Sequence, residues 1–497
     1  MAEAVATPLG LLRWRGAPPP ALDLKPPRSD APSGDKLAPS LAAAFDALDL
    51  DHGAALSFHH HYRNGDRLMN AVVALARARG LKRLVLCPSS VFPVHAPLVD
   101  AIRDGTVAHV VTDYMRGPVA DAIAGGALDG VALLQSHGGR ARAISAGQLR
   151  IDAAFIGAAL ARPDGAATGR GGALACGPLG YAAVDCRHAR RTVVAAHEVI
   201  AEPLPHVDIE ARFVDRVAPF PNPGDVSGIQ SGTTLPSSSP EARAIADLTA
   251  ACIEAAGLLR DGFSLQTGAG GYSLAAAPVI GRRMAERGVR GGFLSGGIAG
   301  AHVDLLEAGL FERAFDVQCF DLRAVSSSMR NPAHRMMSAS DYASPLNPDA
   351  VVNGLSAMLL GAAEVDLAFD VNVVSGADGR VLGGPGGHPD AAQGARLSIV
   401  TTTLTGGGYA KIVPKVRTVA TEGASVDLVV TERGVAVSDR RPDLRADLAA
   451  AGLPVVDIAA LAETAAALAA RRAAPFEEAG APRIHVERRD GVLLDRL

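Results

Sequence analysis

Two glycine-rich turns and a handful of arginines and histidines carry most of the chemistry this chain can offer. Gln266-Thr267-Gly268-Ala269-Gly270-Gly271 follows a short apolar run at 263–265 and opens an alanine-rich helical pattern. Glycines there leave backbone N–H groups bare, and the helix behind them adds its positive end, an arrangement that suits phosphates, carboxylates and thioester oxyanions. Gly383-Gly384-Pro385-Gly386-Gly387-His388 repeats the pattern ahead of a second helical stretch at 390–395. The expected oxyanion donors are Gly268, Gly270 and Gly271 from the first turn and 383–387 from the second, because a developing oxyanion needs fixed N–H groups. Arg63, Arg140 and Arg170 are candidate carboxylate forks. His59, His60, His137 and His388 stand on or beside Gly- and Ser-containing motifs, and at least one of them is expected to touch substrate. Their neighbours lack a second ligand at metal spacing, so no metal is expected. Glu364 is the best-placed carboxylate for a covalent role and Glu307 the weaker one; both are more readily explained as surface or strand-end charges. Cys176, Ser264 and Ser295 have no nucleophile motif around them.

An internal repeat supplies the elements that must position these groups. At an offset of 207 residues Ser57 falls on Ser264, Ser89-Ser90 on Gly296-Gly297 and His95 on His302; farther along, an offset of 214 places Asp152 on Asp366, Phe155 on Phe369 and Asp164-Gly165 on Asp378-Gly379. Both copies run strand, loop, helix, turn, strand, which predicts two duplicated α/β units with mainly parallel sheets and a functional cleft between them. The Pro-, Gly- and Ser-rich stretch 217–240 is the expected connection. The predicted organisation is an N-terminal extension at 1–40, a first unit at 41–225 and a second at 226–497. Strands are expected at 397–401 and 426–430, and helical structure over 448–472 with a break at 452–454.

The 497 residues are 48% hydrophobic but only 4% aromatic, so Ala, Val and Leu must fill the cores. A formal net charge of −4 gives no reason to expect nucleic-acid or acidic-membrane binding. Five scattered cysteines argue against a disulfide framework. No signal-peptide or membrane-spanning pattern is evident, and the expected compartment is the cytoplasm.

From about residue 41 onward the chain resembles the alpha subunit of bacterial citrate lyase, the citrate CoA-transferase component. The resemblance rests on Ser57-Phe58-His59-His60 with Arg63 and Gly65-Asp66, His95-Ala96-Pro97-Leu98, Arg116-Gly117-Pro118 and Ser136-His137-Gly138-Gly139-Arg140 in the first half. In the second half it rests on Gln266-Thr267-Gly268, Gly296-Gly297-Ile298, Arg330-Asn331-Pro332, Val371-Asn372-Val373 and Gly386-Gly387-His388. Pro178, His61 and Asn64 depart from the pattern. The resemblance implies two CoA-transferase-like domains with the active site at their interface, and adds Ser57, Gln266, Gly386 and Gly387 to the expected substrate contacts. It implies exchange of acetyl for citryl on the CoA-derived thioester arm of an acyl-carrier protein, with acetate released. It also implies partners: a citryl-lyase beta subunit, an acyl-carrier gamma subunit, and further copies of this chain in a larger complex. No cofactor of the subunit's own is expected. Related CoA-transferases present a glutamate that carries the acyl group; here the matching segment is Leu294-Ser295-Gly296-Gly297-Ile298, which implies direct attack by the substrate carboxylate. The rival readings are a stand-alone transferase or hydrolase of free acyl-CoA, a non-catalytic assembly subunit, and a sugar-phosphate-sensing regulator.

Overall fold

The computed structural model describes residues 4–7, 10–13, 25–230, 234–474 and 483–497. Two predominantly parallel sheets share one strand order. In the first, Arg216–Pro219, Arg191–Val199, Ala153–Ala161, Ala55–Phe58, Leu84–Pro88, Val107–Thr112 and Ala132–Leu134 lie side by side. In the second the corresponding series is Leu428–Thr431, Leu397–Thr401, Ala357–Leu360, Ser264–Thr267, Gly291–Ile298, Phe311–Cys319 and His334–Met336. In each sheet the unit's first strand lies in the middle, the next three follow on one side and the last three on the other. The duplication is therefore architectural. Strands such as Leu397–Thr401 are buried along their whole length, as parallel strands covered on both faces must be.

The 207-residue offset has a local counterpart: His95 Nδ1 accepts the Phe92 N–H at 3.0 Å, and His302 Nδ1 accepts the Ala299 N–H at 3.1 Å. Each histidine ties off the start of the helix behind the second strand of its unit. The 214-residue offset does not hold. Asp152 caps the first strand by accepting the Ala55 N–H, and the residue that does this in the second unit is Ser356, which accepts from Ser264. Asp366 instead lies in a small separate sheet built from Glu364–Asp366, Val371–Asn372 and Ile412–Val413. That sheet interrupts the second unit where the first continues its long strand, so the sequence match there joined unlike elements.

The connection between units runs from the end of Arg216–Pro219 to the helix Pro240–Ala255, which Ser239 starts by accepting the Ala242 N–H; residues 231–233 of it lie outside the described residues. Strands Ile484–Glu487 and Leu493–Arg496 return to the first sheet, beside Ala132–Leu134, although the sequence division places 226–497 in one unit. Near the N-terminus, Lys36 and Ala38 bond the edge strand at Val217, and Arg28 pairs with Asp215. The break expected near 452–454 separates helices Pro442–Ala450 and Ile458–Leu468. No helix among the described residues is long and apolar enough to cross a membrane. A continuous apolar core containing Ala55, Val184, Val317 and Leu360 joins the two halves, so the carboxyl ends of both sets of strands are held against each other.

Candidate functional site

At that junction lies a cavity of about 420 Å³, lined by both halves and containing both glycine-rich loops. No Asp or Glu lines it, whereas Arg63, Arg116, His60, His137 and His388 do. Arg63 sits in the left-handed region at φ 51°, a conformation that costs a non-glycine residue roughly 1–3 kcal/mol. Its guanidinium lies between two rings, 5.5 Å from the Phe92 centroid and 4.8 Å from that of Phe320. Burial pulls its basicity down to about 10, which leaves it charged at neutral pH. Neither Arg63 nor Arg116 forms an ion pair among the described residues, and the Nε of each is buried without a hydrogen-bond partner. Two guanidiniums without ion-pair partners in one cavity are a site for an anion.

The histidines flank Tyr181, whose ring centroid is 4.9 Å from that of His60 and 4.7 Å from that of His137. His60 Nδ1 meets Ser89 Oγ at 2.5 Å, and burial pushes its basicity well below the usual histidine range, so the ring is neutral. His137 Nδ1 is 2.8 Å from Asp113 Oδ2. In the first glycine-rich turn Gly268 N–H is already committed to Leu359 O at 2.7 Å. The N–H groups of Ala269, Gly270 and Gly271 make no hydrogen bond within the described protein and stand at the start of the helix Gly271–Arg287. They are the donors available to an oxyanion. At Gly296 and Gly297, where the resemblance implies a glutamate in related transferases, a Cβ would meet neighbouring side chains: one on Gly296, at φ 98°, would lie 2.7 Å from the Gln266 amide carbon, and one on Gly297 would lie 2.1 Å from the Phe320 ring.

A larger hollow of about 640 Å³ lies elsewhere, beside Arg170, Arg187 and Arg330. Arg170 there is held by Asp208 at 2.6 Å and Arg187 approaches Glu210 at 3.7 Å; neither glycine-rich loop reaches it. The loop-bearing cleft is the better site.

Residues 34–497 match the family described as citrate lyase, alpha subunit. The chain belongs to that family. It is 39% identical over 460 residues to the citrate lyase alpha chain of Escherichia coli strain K12, spanning 93% of this chain and 90% of that one. The alpha chain of Klebsiella pneumoniae is 38% identical over the same length, with the same coverage of both chains. A Streptococcus mutans protein described as the alpha subunit of citrate lyase, solved in complex with citrate, superposes with a TM-score of 0.92 at 37% identity, covering 96% of this chain and 94% of that one. A Pseudomonas malonate decarboxylase hetero-tetramer, at 17% identity with 84% of each chain covered and a TM-score of 0.62, shares the fold. The CoA-transferase-like α/β architecture expected from sequence is the one observed.

Of the residues nominated from sequence, the cavity gathers His60, Arg63, His137, Gln266, Gly268, Gly270, Gly386, Gly387 and His388. Arg140 is not among them. It is spent on a buried bidentate pair with Asp185, at 2.8 and 2.6 Å, and on the Cys87 carbonyl; His59 Nε2 lies 3.0 Å from the same Asp185. Arg170 is spent on Asp208. Ser57 is fully buried in its strand outside the lining. Gly271 packs under the connecting segment, where a Cβ would lie 3.2 Å from Leu235 O. Glu364 Oε2 accepts from Asn372 Nδ2 at 2.8 Å and from Arg417 N at 3.0 Å, a buried structural acceptor outside the cavity. His388 reaches the wall, but Thr421 occupies its Nδ1 and the Gly361 carbonyl its Nε2, so it fixes the loop. Arg116, Gln318 and Phe320 belong to the family motifs but were not nominated as site residues, and sequence reasoning passed over Asp113 and Tyr181. Arg116 and Asp113 both follow Val107–Thr112 at its carboxyl end, the place where parallel sheets put their ligands, and that was the available signal. Asp316, Cys319 and His334 cluster closely, but Asp316 accepts from Cys319 at 3.1 Å and from His334 at 3.0 Å, so the cluster satisfies itself.

Proposed function

We propose that this chain is the transferase of a citrate lyase, exchanging acetyl for citryl on a CoA-derived thioester arm carried by an acyl-carrier partner. The observation that carries this reading is a cavity with two unpaired guanidiniums and no carboxylate in its lining, in a chain of the citrate lyase alpha family. Arg63 and Arg116 hold the carboxylates of citrate. A third citrate carboxylate attacks the acetyl carbonyl; the developing oxyanion takes the N–H groups of Ala269 and Gly270, and the thiolate leaves. The mixed anhydride so formed is opened by the same thiolate at its citryl carbonyl, which gives citryl thioester and acetate. With no side chain at Gly296 and Gly297 and Glu364 bound elsewhere, both substrates must be held together.

The thioester arm arrives with the carrier as substrate, so the subunit needs no cofactor of its own. A separate lyase subunit then cleaves citryl thioester, and the working form is a cytoplasmic complex containing several copies of this chain. The test is acetate release from purified acetyl-carrier on addition of citrate, run beside free acetyl-CoA. Citrate-dependent release from the carrier is expected. Equal turnover of free acetyl-CoA favours the stand-alone transferase, and no release from either refutes the assignment.

A further inference from the structure

We propose that the Asp113–His137 pair is a specificity device that reads the substrate's hydroxyl group. This inference rests on citrate occupying the cavity. Citrate carries one group that a cradle of donors cannot satisfy: a tertiary hydroxyl whose proton needs an acceptor. Among the side chains of the lining, Arg63 and Arg116 can only donate, and both ring nitrogens of His388 are occupied. The carbonyl oxygens of Gln266 and Gln318 are sealed from the space. Apart from Ser90, Thr267 and the tyrosines, whose hydroxyls serve either way, acceptance falls to His60 or His137. Ser89 Oγ accepts the His60 backbone N–H at 3.2 Å and meets the ring Nδ1; with the hydroxyl donating to the ring, the ring proton lies on Nε2 as another donor.

His137 is set the other way round. A carboxylate accepts and cannot donate, so Asp113 Oδ2 at 2.8 Å takes the Nδ1 proton, and in the neutral ring Nε2 is then the acceptor. Asp113 is fully buried and its other oxygen has no partner, so the carboxylate has no second donor competing with the ring. Nε2 faces the gap left by Gly386, where a Cβ would stand 3.5 Å from it, and makes no hydrogen bond among the described residues. The ring's backbone is held as firmly. His137 N donates to Gly386 O at 2.9 Å, and Asp390 takes the Gly138 N–H and the Ser136 hydroxyl, each at 2.8 Å, at the start of the same helix. His137 is thus a preset acceptor beside two guanidinium donors, and Asp113 is its positioning residue.

The test compares citrate with propane-1,2,3-tricarboxylate, which has the same three carboxylates without the hydroxyl. The wild-type protein is expected to prefer citrate in kcat/KM by at least about 10-fold, towards the roughly 10⁴-fold reached by sites built around a hydroxyl. Asp113→Asn, whose amide can donate to Nδ1 and so move the ring proton to Nε2, should bring that ratio close to one chiefly by slowing citrate. His137→Phe keeps the ring packing on Tyr181 and should do the same. A wild-type ratio near one overturns the proposal whatever the variants do, as does a wild-type ratio in either folded variant. Calorimetry of the two tricarboxylates with wild type and Asp113→Asn separates the claims. Preferential citrate binding that Asp113→Asn abolishes upholds the hydroxyl reader even if no acetate is ever released, while equal binding with normal citrate turnover sinks it and leaves the transferase standing.

Discussion

Replacing Arg63 by Met should raise the citrate KM steeply and leave the fold intact, while Arg140→Met should do the reverse. Arg63 has no carboxylate partner among the described residues and lies in the cavity, so its charge is available to substrate. A hydrogen bond to a charged partner in a desolvated site is worth about 1.5–3 kcal/mol, which at about 1.4 kcal/mol per decade converts to roughly 10- to 150-fold in KM. The protein itself loses two cation–π contacts of about 0.5–2 kcal/mol each but sheds a buried unpaired charge, so stability should change little. Arg140 is committed to Asp185; removing it leaves a fully buried carboxylate with only His59 beside it and should cost about 3–5 kcal/mol of stability without a specific citrate defect. The assay is citrate-dependent acetate release from acetyl-carrier across a citrate series, paired with urea unfolding of each variant. An Arg63→Met protein with wild-type citrate KM would refute the clamp, as would an Arg140→Met protein of wild-type stability with a raised KM.

Gly270→Val should lower transfer at least tenfold for about 1 kcal/mol of stability, because a Cβ there meets nothing within 4 Å on a residue that lines the cavity; Gly271→Val should mainly destabilise, since its Cβ meets Leu235 O and Ser237. Normal turnover by folded Gly270→Val would remove that turn from the reaction. Glu364→Gln should keep the transfer rate within about threefold and lose roughly 1–3 kcal/mol of stability, since it weakens acceptance from Asn372 and Arg417 only. Loss of transfer in a stable Glu364→Gln protein would reinstate it as a reactant. Burial lowers His61 to about 3 and His302 and His388 each to about 4, so all three stay neutral in the native state. The unfolded chain takes up those protons near pH 6.5, so the stabilisation is complete above that pH and is lost as pH falls towards about 4, at about 1.4 kcal/mol per unit for each ring. These three rings alone should lower urea midpoints by the equivalent of about 4 kcal/mol between pH 7.5 and 5.5, and buried His60 adds to the fall; a constant midpoint would show that the rings protonate in place.

The sequence exposed what local physics dictates: two glycine turns ahead of helices, strands of Val, Ile and Leu, and a repeat whose His95 and His302 do the same capping work. It did not show which arginines were free. Arg140 and Arg170 sit on motifs as suggestive as that of Arg63, but their partners Asp185 and Asp208 come from distant segments that only the folded chain brings to them. The same limit hid the fate of Gly268, whose N–H is taken by the neighbouring strand end at Leu359. The second repeat register failed because the small sheet around Glu364–Asp366 occupies sequence that the first unit gives to a long strand.

The central claim is that a citrate carboxylate attacks the acetyl thioester with no protein carboxylate between them, and oxygen bookkeeping in a single turnover tests it. Citrate labelled with ¹⁸O in its carboxylates is mixed with acetyl-carrier and an excess of protein in unlabelled water, and the acetate is weighed by mass spectrometry. Direct attack predicts acetate carrying one ¹⁸O, because the bridging oxygen of the mixed anhydride leaves with the acetyl group. Acetate without label in that first turnover, accompanied by citryl thioester formation, would mean that the acetyl group passed to the protein first, and would contradict the account.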